Sequence, residues 1–234
     1  MQPYFLPYIG YWQLINAVDV FVIYDNIQYT KKGWFNRNRY LLNGKKATFS
    51  LNLKDESDFM TVKQRFLSSK FNRKKLIAMF QNAYHRAPMK DEVFPIIGKL
   101  INYPNNNLFE YTYNSIEEIC KYLNIATKIV ISSKININHS LKSEQKVIEI
   151  CKELQTSTYI NSVGGIKLYT NKNFANENID LKFIKSKPIF YKQFDNEFVE
   201  WLSILDVMMF NSAKEIKELL NEYELLDSTG EIHV

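Results

Sequence analysis

Eight polar residues crowd behind one short apolar run near the amino terminus. Asp25, Asn26, Gln28, Lys31, Lys32, Asn36, Arg37 and Asn38 follow the run 19–24, DVFVIY. The lysines, the arginine and the amides are donors of the kind that hold phosphates, carboxylates and sugar hydroxyls. Asp25 suits a base, a metal ligand or a ribose acceptor, and equally a strand-end turn residue bonded to its own backbone. A solvated basic loop is the plain alternative for the lysines. Farther on, Ser132 with Ser133, and Ser162 with Gly164 and Gly165, close two apolar runs just ahead of helical sequence. Backbone N–H groups exposed there can cradle an anion, or the serines can simply cap. Without a complete glycine fingerprint neither is a Rossmann nucleotide motif. His85, His139 and His233 are scattered, with no metal-ligand spacing, so no metal site is expected. No GxSxG or Cys/His pairing announces covalent catalysis.

These residues need elements to hold them. Tyr11, Leu14, Ile15 and Val18 recur at helical spacing, so a loop, a helix and then the strand 19–24 precede the polar cluster. Segment 39–53 reads as two strands around Asn43 and Gly44, the pair that a tight hairpin turn favours. A short strand is expected within 54–67, a helix over 72–84, and a second over 90–101 that is interrupted or restarted near Pro95. Asn114 or Ser115 is expected to cap a third helix, with Glu117 and Glu118 in its first turn. From residue 126 strands alternate with helices: KIVISS, the helix ending at Leu154, STYINS, the helical stretch after Gly164, then IDLKFIK. That order implies βαβ units and a parallel sheet, whose right-handed crossovers would bring the turns after Ile131 and Ile160 to the edge that carries Asp25. The fold class expected is therefore α/β, a parallel-sheet, Rossmann-like core with an inserted β-hairpin and helical middle and carboxyl-terminal regions. One domain spans 1–226, about 54–125 of it a mostly helical insertion, and 227–234 is a flexible polar tail. The region 188–226 is expected to be mostly helical, with Trp201, Leu205, Met208 and Met209 on a core face.

Composition sets limits. With 234 residues, 46% hydrophobic and 24% charged, the chain can bury a sizeable core. A net charge of +5 favours anionic partners, but 25 acids among 30 bases argue against a continuous nucleic-acid footprint, so an anionic small molecule is the expected ligand. Cys120 and Cys151 each occupy an apolar position of a helical pattern and read as core thiols. No apolar run approaches the roughly 18 residues of a membrane helix, and the amino terminus lacks the layout of a secretion signal. A cytoplasmic protein without stable membrane insertion is expected.

Three blocks, QPYFLPYIGYWQLI from Gln2, DVFVIYDNIQ from Asp19 and WFNRN from Trp34, resemble the start of the WbqC-like protein family. The resemblance continues through 143–154, 158–169 and 202–211, and is loose over about 53–114. Gln145 stands where the family's helix usually carries arginine, and Asn161 to Gly165 replace its SGxxG. The family pattern also implies a few apolar strand residues ahead of Gln2, where this sequence has Met1. The resemblance implies a bacterial enzyme of surface-polysaccharide biosynthesis, O-antigen or capsule, modifying a nucleotide- or lipid-linked sugar, possibly as an aminoacyl or acyl transferase. Lys31, Lys32 and Arg37 would then hold the anionic part, Gln28, Asn36 and Asn38 the hydroxyls, and Trp34 would stack on a ring. Asp25 would orient or deprotonate the acceptor, Tyr8 would line the site, and Gln2 joins Asp25 as a catalytic candidate. Two other readings stay open: a non-catalytic module that binds a sugar nucleotide or a glycan-pathway enzyme, and nucleotidyl transfer. Against the latter, Tyr8 and Tyr11 stand where adenylyl-transferring enzymes use imidazoles. The residues name no cofactor.

Overall fold

The computed structural model describes residues 1–57 and 59–227. A proline-punctuated segment enters α1 (Ile9–Asn16), in which Tyr11, Trp12, Leu14 and Ile15 are buried, and β1 (Val20–Ile23) follows. Gly10 is required for close approach: a Cβ there would come within 2.4 Å of the Tyr8 ring. The hairpin of β2 (Arg37–Leu42) and β3 (Lys45–Ser50) turns through Asn43 and Gly44, both at positive φ, as the sequence demands. Helices α2 (Arg73–Tyr84), α3 (Lys90–Ile101) and α4 (Leu108–Tyr122) come next. Then follow β4 (Lys128–Ile131), α5 (Ser143–Glu153), β5 (Thr158–Ser162), α6 (Asn171–Ala175), β6 (Asp180–Ser186), α7 (Ile204–Phe210), α8 (Ala213–Leu219) and β7 (Tyr223–Leu226).

The chain is mixed α/β, with strands in small sheets. β1 and β4 pair in parallel with Ile23 opposite Ile131, and β2 and β3 form the antiparallel hairpin. β5 and β6 pair in parallel, with β7 antiparallel on the far edge of β6. The expected parallel pairing is present twice, but a single continuous parallel sheet is not.

Several local expectations need correcting. The described residues of 54–67 form a 3-10 turn, Val62–Gln64, and isolated bridges rather than a strand. Helix α3 runs unbroken through Pro95, an exposed residue whose missing N–H frees only the carbonyl of exposed Asp91 four residues back. Helix α4 starts at Leu108, where the Asn107 side chain accepts from the Glu110 N–H, so Asn114 and Ser115 lie mid-helix. The stretch after Ser162 is a 3-10 helix, Val163–Leu168, before the short α6. Within the carboxyl-terminal region 187–203 is not helical, and Tyr223–Leu226 is a strand because β6 offers it an open edge. Trp201 is 60% exposed at φ +61, while Leu205, Met208 and Met209 are fully buried as expected. The polar tail from 228 on lies outside the described residues, as does His233.

One core is built on Tyr11, Trp12, Phe49, Phe80 and Tyr111, the use to which the high aromatic content is put. A smaller cluster of Val147, Cys151, Phe174, Leu181 and Leu226 lies under the second sheet. Cys120 and Cys151 are free buried thiols, each with its pKa raised by burial, that of Cys120 to about 12. Among the described residues no helix is long and apolar enough to cross a membrane.

Candidate functional site at the strand ends

Because β1 and β4 run parallel, the chain leaves both at one end, and the residues just past them meet. Asp25 follows β1; Ser132 and Ser133 follow β4 in a 3-10 turn, Ser132–Lys134. The Asp25 carboxylate is 4% exposed and is gripped by donors. Its Oδ1 accepts from the Ser132 hydroxyl at 3.0 Å and the Ser133 N–H at 3.0 Å, and its Oδ2 from the Ser133 hydroxyl at 2.5 Å. Lys63 places its Nζ 3.4 Å from Oδ2, and its backbone N–H donates to the Asp25 carbonyl. Burial pushes the carboxyl pKa up, but the Ser133 and Ser132 hydrogen bonds and the Lys63 charge outweigh it and hold Asp25 below its ordinary value. Asp25 is thus a fixed anion that sets two serines and a lysine in place.

A second layer surrounds it. Asn26 Oδ1 accepts from the Ser132 hydroxyl at 2.9 Å and from Lys146 Nζ at 3.4 Å, and Lys146 also lies 5.4 Å over the Tyr24 ring. His139 Nε2 faces the Ile135 carbonyl, which only accepts, so that nitrogen carries the proton and Nδ1 accepts from the Asn26 amide at 3.4 Å. Burial lowers the Lys146 pKa, Asp25 works against that, and the Lys63 charge adds to it. Two cations and an amide therefore converge on one edge beside two serine hydroxyls whose protons Asp25 holds, and the lysines are the donors suited to an anionic group. Among the described residues no three His, Cys, Asp or Glu gather as a metal would need.

The structure places the remaining sequence-predicted residues as follows. Met1 is hydrogen-bonded to Val22 and Tyr24, so Gln2 leaves the sheet at the same end as Asp25; its Oε1 accepts from Tyr4 and its carbonyl from Tyr11. Tyr8 packs 5.7 Å from the Trp201 ring. Gln28 is exposed in an isolated bridge with Thr61, and Lys31 and Lys32 are exposed. Arg37 donates to the Gly33 and Lys32 carbonyls and, with Arg39, lies over Trp34, at 5.4 and 4.8 Å. Asn36 donates to the Leu51 carbonyl, and Asn38 to that of Leu6 at 2.7 Å. Those amides tie the hairpin to its neighbours. Ser162 ends β5 in the other sheet and Gly164 and Gly165 follow it, where a Cβ on Gly165 would meet the Asn161 amide at 2.7 Å.

Sequence reasoning missed Lys63, Lys146 and His139. Lys63 lies in a single 3-10 turn and His139 in an irregular segment, with no periodicity to flag either. Lys146 was detectable: it falls four residues before buried Ile150, on the stripe of α5 where an apolar residue is expected.

The model of the WbqC-like protein family matches residues 2–218. Among curated proteins, the "Uncharacterized protein Rv1507c" of Mycobacterium tuberculosis is 24% identical over 226 residues, covering 94% of this chain and 95% of its own. No solved structure matches the chain.

Proposed function

The chain belongs to the WbqC-like protein family, and on that premise we propose that it is an enzyme of bacterial surface-glycan assembly, acting on a nucleotide- or lipid-linked sugar by aminoacyl or acyl transfer. The observation that carries this reading is the convergence of Lys63, Ser132 and Ser133 on buried Asp25, with Lys146 held beside them by Asn26. Lys63 and Lys146 receive the anionic part of the activated sugar, and Asp25 positions the serines and Lys63. Its lone pairs are committed and its pKa is held low, which favours orienting over proton abstraction. The sugar amine attacks the acyl carbonyl, a C–N bond forms as the bond to the acyl carrier breaks, and the amine's proton passes to the departing carrier group. Trp34 with Arg37 and Arg39 supplies a flat cationic face for a ring.

The test is titration of the protein with a panel of nucleotide sugars, followed by acyl-transfer assays on those that bind. A ligand at about 100 times its dissociation constant raises stability by roughly 2.7 kcal/mol, readily seen as a thermal shift. The Lys63→Ala/Lys146→Ala double variant is expected to weaken binding at least about tenfold. Equal binding by the double variant would remove the site from the reading, and tight binding with no turnover of any acyl donor would favour the sugar-nucleotide scaffold instead.

A further inference from the structure

The positive charge of the chain is gathered in one place. Residues 26–54 hold seven lysines and arginines and no acid, whereas the net charge of the whole chain is +5, which leaves the other residues at −2. That stretch folds around the β2 and β3 hairpin. Arg37 lies opposite Ser50 and Arg39 opposite Thr48, so these side chains share one face, and exposed Lys46 falls on it by alternation along β3. Asn38 and Phe49, on the other face, are buried. Arg37 donates to the Lys32 and Gly33 carbonyls, and both arginines cover Trp34, which brings Lys32 to the outer face. An apolar rim adjoins it. Segment 194–203 runs along the hairpin: a Cβ on Gly44 at the turn would meet the Asn196 side chain at 2.7 Å, and the Ser203 N–H donates to the Arg39 carbonyl at 2.9 Å. Between those contacts stand Trp201 and Phe198, and Phe198 packs against Phe190 with ring centroids 5.4 Å apart. Phe190 is 69% exposed, and Trp201 and Leu42, the latter beside the turn, are exposed as well. Trp201 holds a left-handed backbone, a costly choice for a bulky side chain, and its indole nonetheless stays in water.

We propose that this face docks on a lipid bilayer that carries anionic phospholipid. Lys32, Arg39, Lys45 and Lys46 meet the headgroup phosphates, while Leu42, Phe190 and Trp201 enter the boundary between headgroups and acyl chains. Both halves of the surface point to that occupant. Cations with no acid among them each gain from the negative potential of such a leaflet. A small anion engages one or two of them and leaves the apolar rim in water, and a nucleic-acid strand stacks on aromatic rings but gains nothing from Leu42. Tryptophan, with an apolar body and a single N–H, suits the bilayer interface. Asp195, Glu197 and Glu200 are exposed on segment 194–203, so the hairpin supplies the attraction and the segment the apolar contact. A docked chain meets its sugar in lipid-linked form beside Trp34, a consequence that rests on the proposed activity, whereas docking itself does not.

The test is sedimentation of the full chain with vesicles of phosphatidylcholine alone and with vesicles containing about one-third phosphatidylglycerol. No sugar or acyl donor is present, so docking and the proposed activity fail separately. Binding to the anionic vesicles is expected to be at least about tenfold tighter and to weaken as salt rises. Trp12 is buried and Trp34 lies under two guanidinium groups, so a blue shift of tryptophan emission on binding is expected to come from Trp201 and to vanish in Trp201→Phe. Lys45→Glu/Lys46→Glu, at two exposed positions away from the Asp25 cluster, is expected to weaken vesicle binding at least about tenfold with the melting temperature unchanged, and Lys45→Arg/Lys46→Arg to keep it. Equal affinity for the two kinds of vesicle overturns the proposal. So does unchanged binding by the glutamate variant, an emission maximum that does not move, a blue shift that survives Trp201→Phe, or a single-stranded oligonucleotide bound more tightly than the anionic vesicles.

Discussion

Two buried aspartates show how neighbours decide what one side chain does. Asp25 has two hydroxyls, an N–H and a lysine around it, so its pKa sits below 3.8; the stability it contributes is present above that pH and is lost as pH falls through its folded value. Asp206 is fully buried, with donors only: Tyr84 Oη at 2.9 Å, Tyr191 Oη at 2.7 Å and Gln193 Nε2 at 2.6 Å. Without a cation, burial wins and raises it from 3.8 to about 6. The sign is opposite. The folded state holds the Asp206 proton more tightly than the unfolded chain does, so its contribution is full below pH 3.8 and drains away as pH rises to about 6. Asp206→Asn removes that slope. Urea unfolding at pH 4, 5 and 6 should show wild type losing about 2 kcal/mol relative to the variant over this window. A constant difference between the two would show that Asp206 does not titrate there. Sequence analysis did not single out Asp206, because its partners come from α2 and from the loop at 191–193.

Among the elements, α4 ties helix capping to the candidate site. Asn107 accepts from the Glu110 N–H at the start of the helix, and its own amide donates to the Lys63 carbonyl at 2.7 Å. Asn107→Ala should therefore cost about 1–2 kcal/mol in denaturant unfolding and should also weaken anion binding, because Lys63 loses a backbone anchor. Asn107→Asp keeps the cap acceptor but cannot donate to Lys63; it should restore most of the stability and none of the binding. The cap was hard to find in the sequence for a physical reason: Asn102, Asn105, Asn106, Asn107 and Asn114 are all competent, and only packing of Leu108 and Phe109 into the core selects one. The hairpin was easy because Asn43 and Gly44 accept positive φ regardless of what surrounds them.

At the scale of the molecule, Gln13 joins its two ends. Its amide donates to the Leu219 and Glu222 carbonyls, both at 2.9 Å, and its Oε1 accepts from the Ser186 hydroxyl at 2.6 Å. Gln13→Leu should cost roughly 1–3 kcal/mol, with an unchanged denaturant slope, since three partly buried bonds are lost while the fold stays the same. A cost within the error of urea unfolding would mean that water takes over those bonds. The sequence by itself determined what depends on near neighbours: α1 and β1, the hairpin, the alternation of strands and helices after residue 126, and the family. The expectation that the turn after Ile131 reaches the edge that carries Asp25 holds, whereas the turn after Ile160 lies in the other sheet. Tertiary structure alone decided that Lys63 and Lys146 stand at Asp25, that Asn36 and Asn38 spend their amides on backbone carbonyls, and that the parallel strands lie in two pairs with a cleft between. Those outcomes turn on contacts between residues far apart in the chain, and hydrophobic periodicity carries no information about which distant polar groups will be brought within hydrogen-bonding reach.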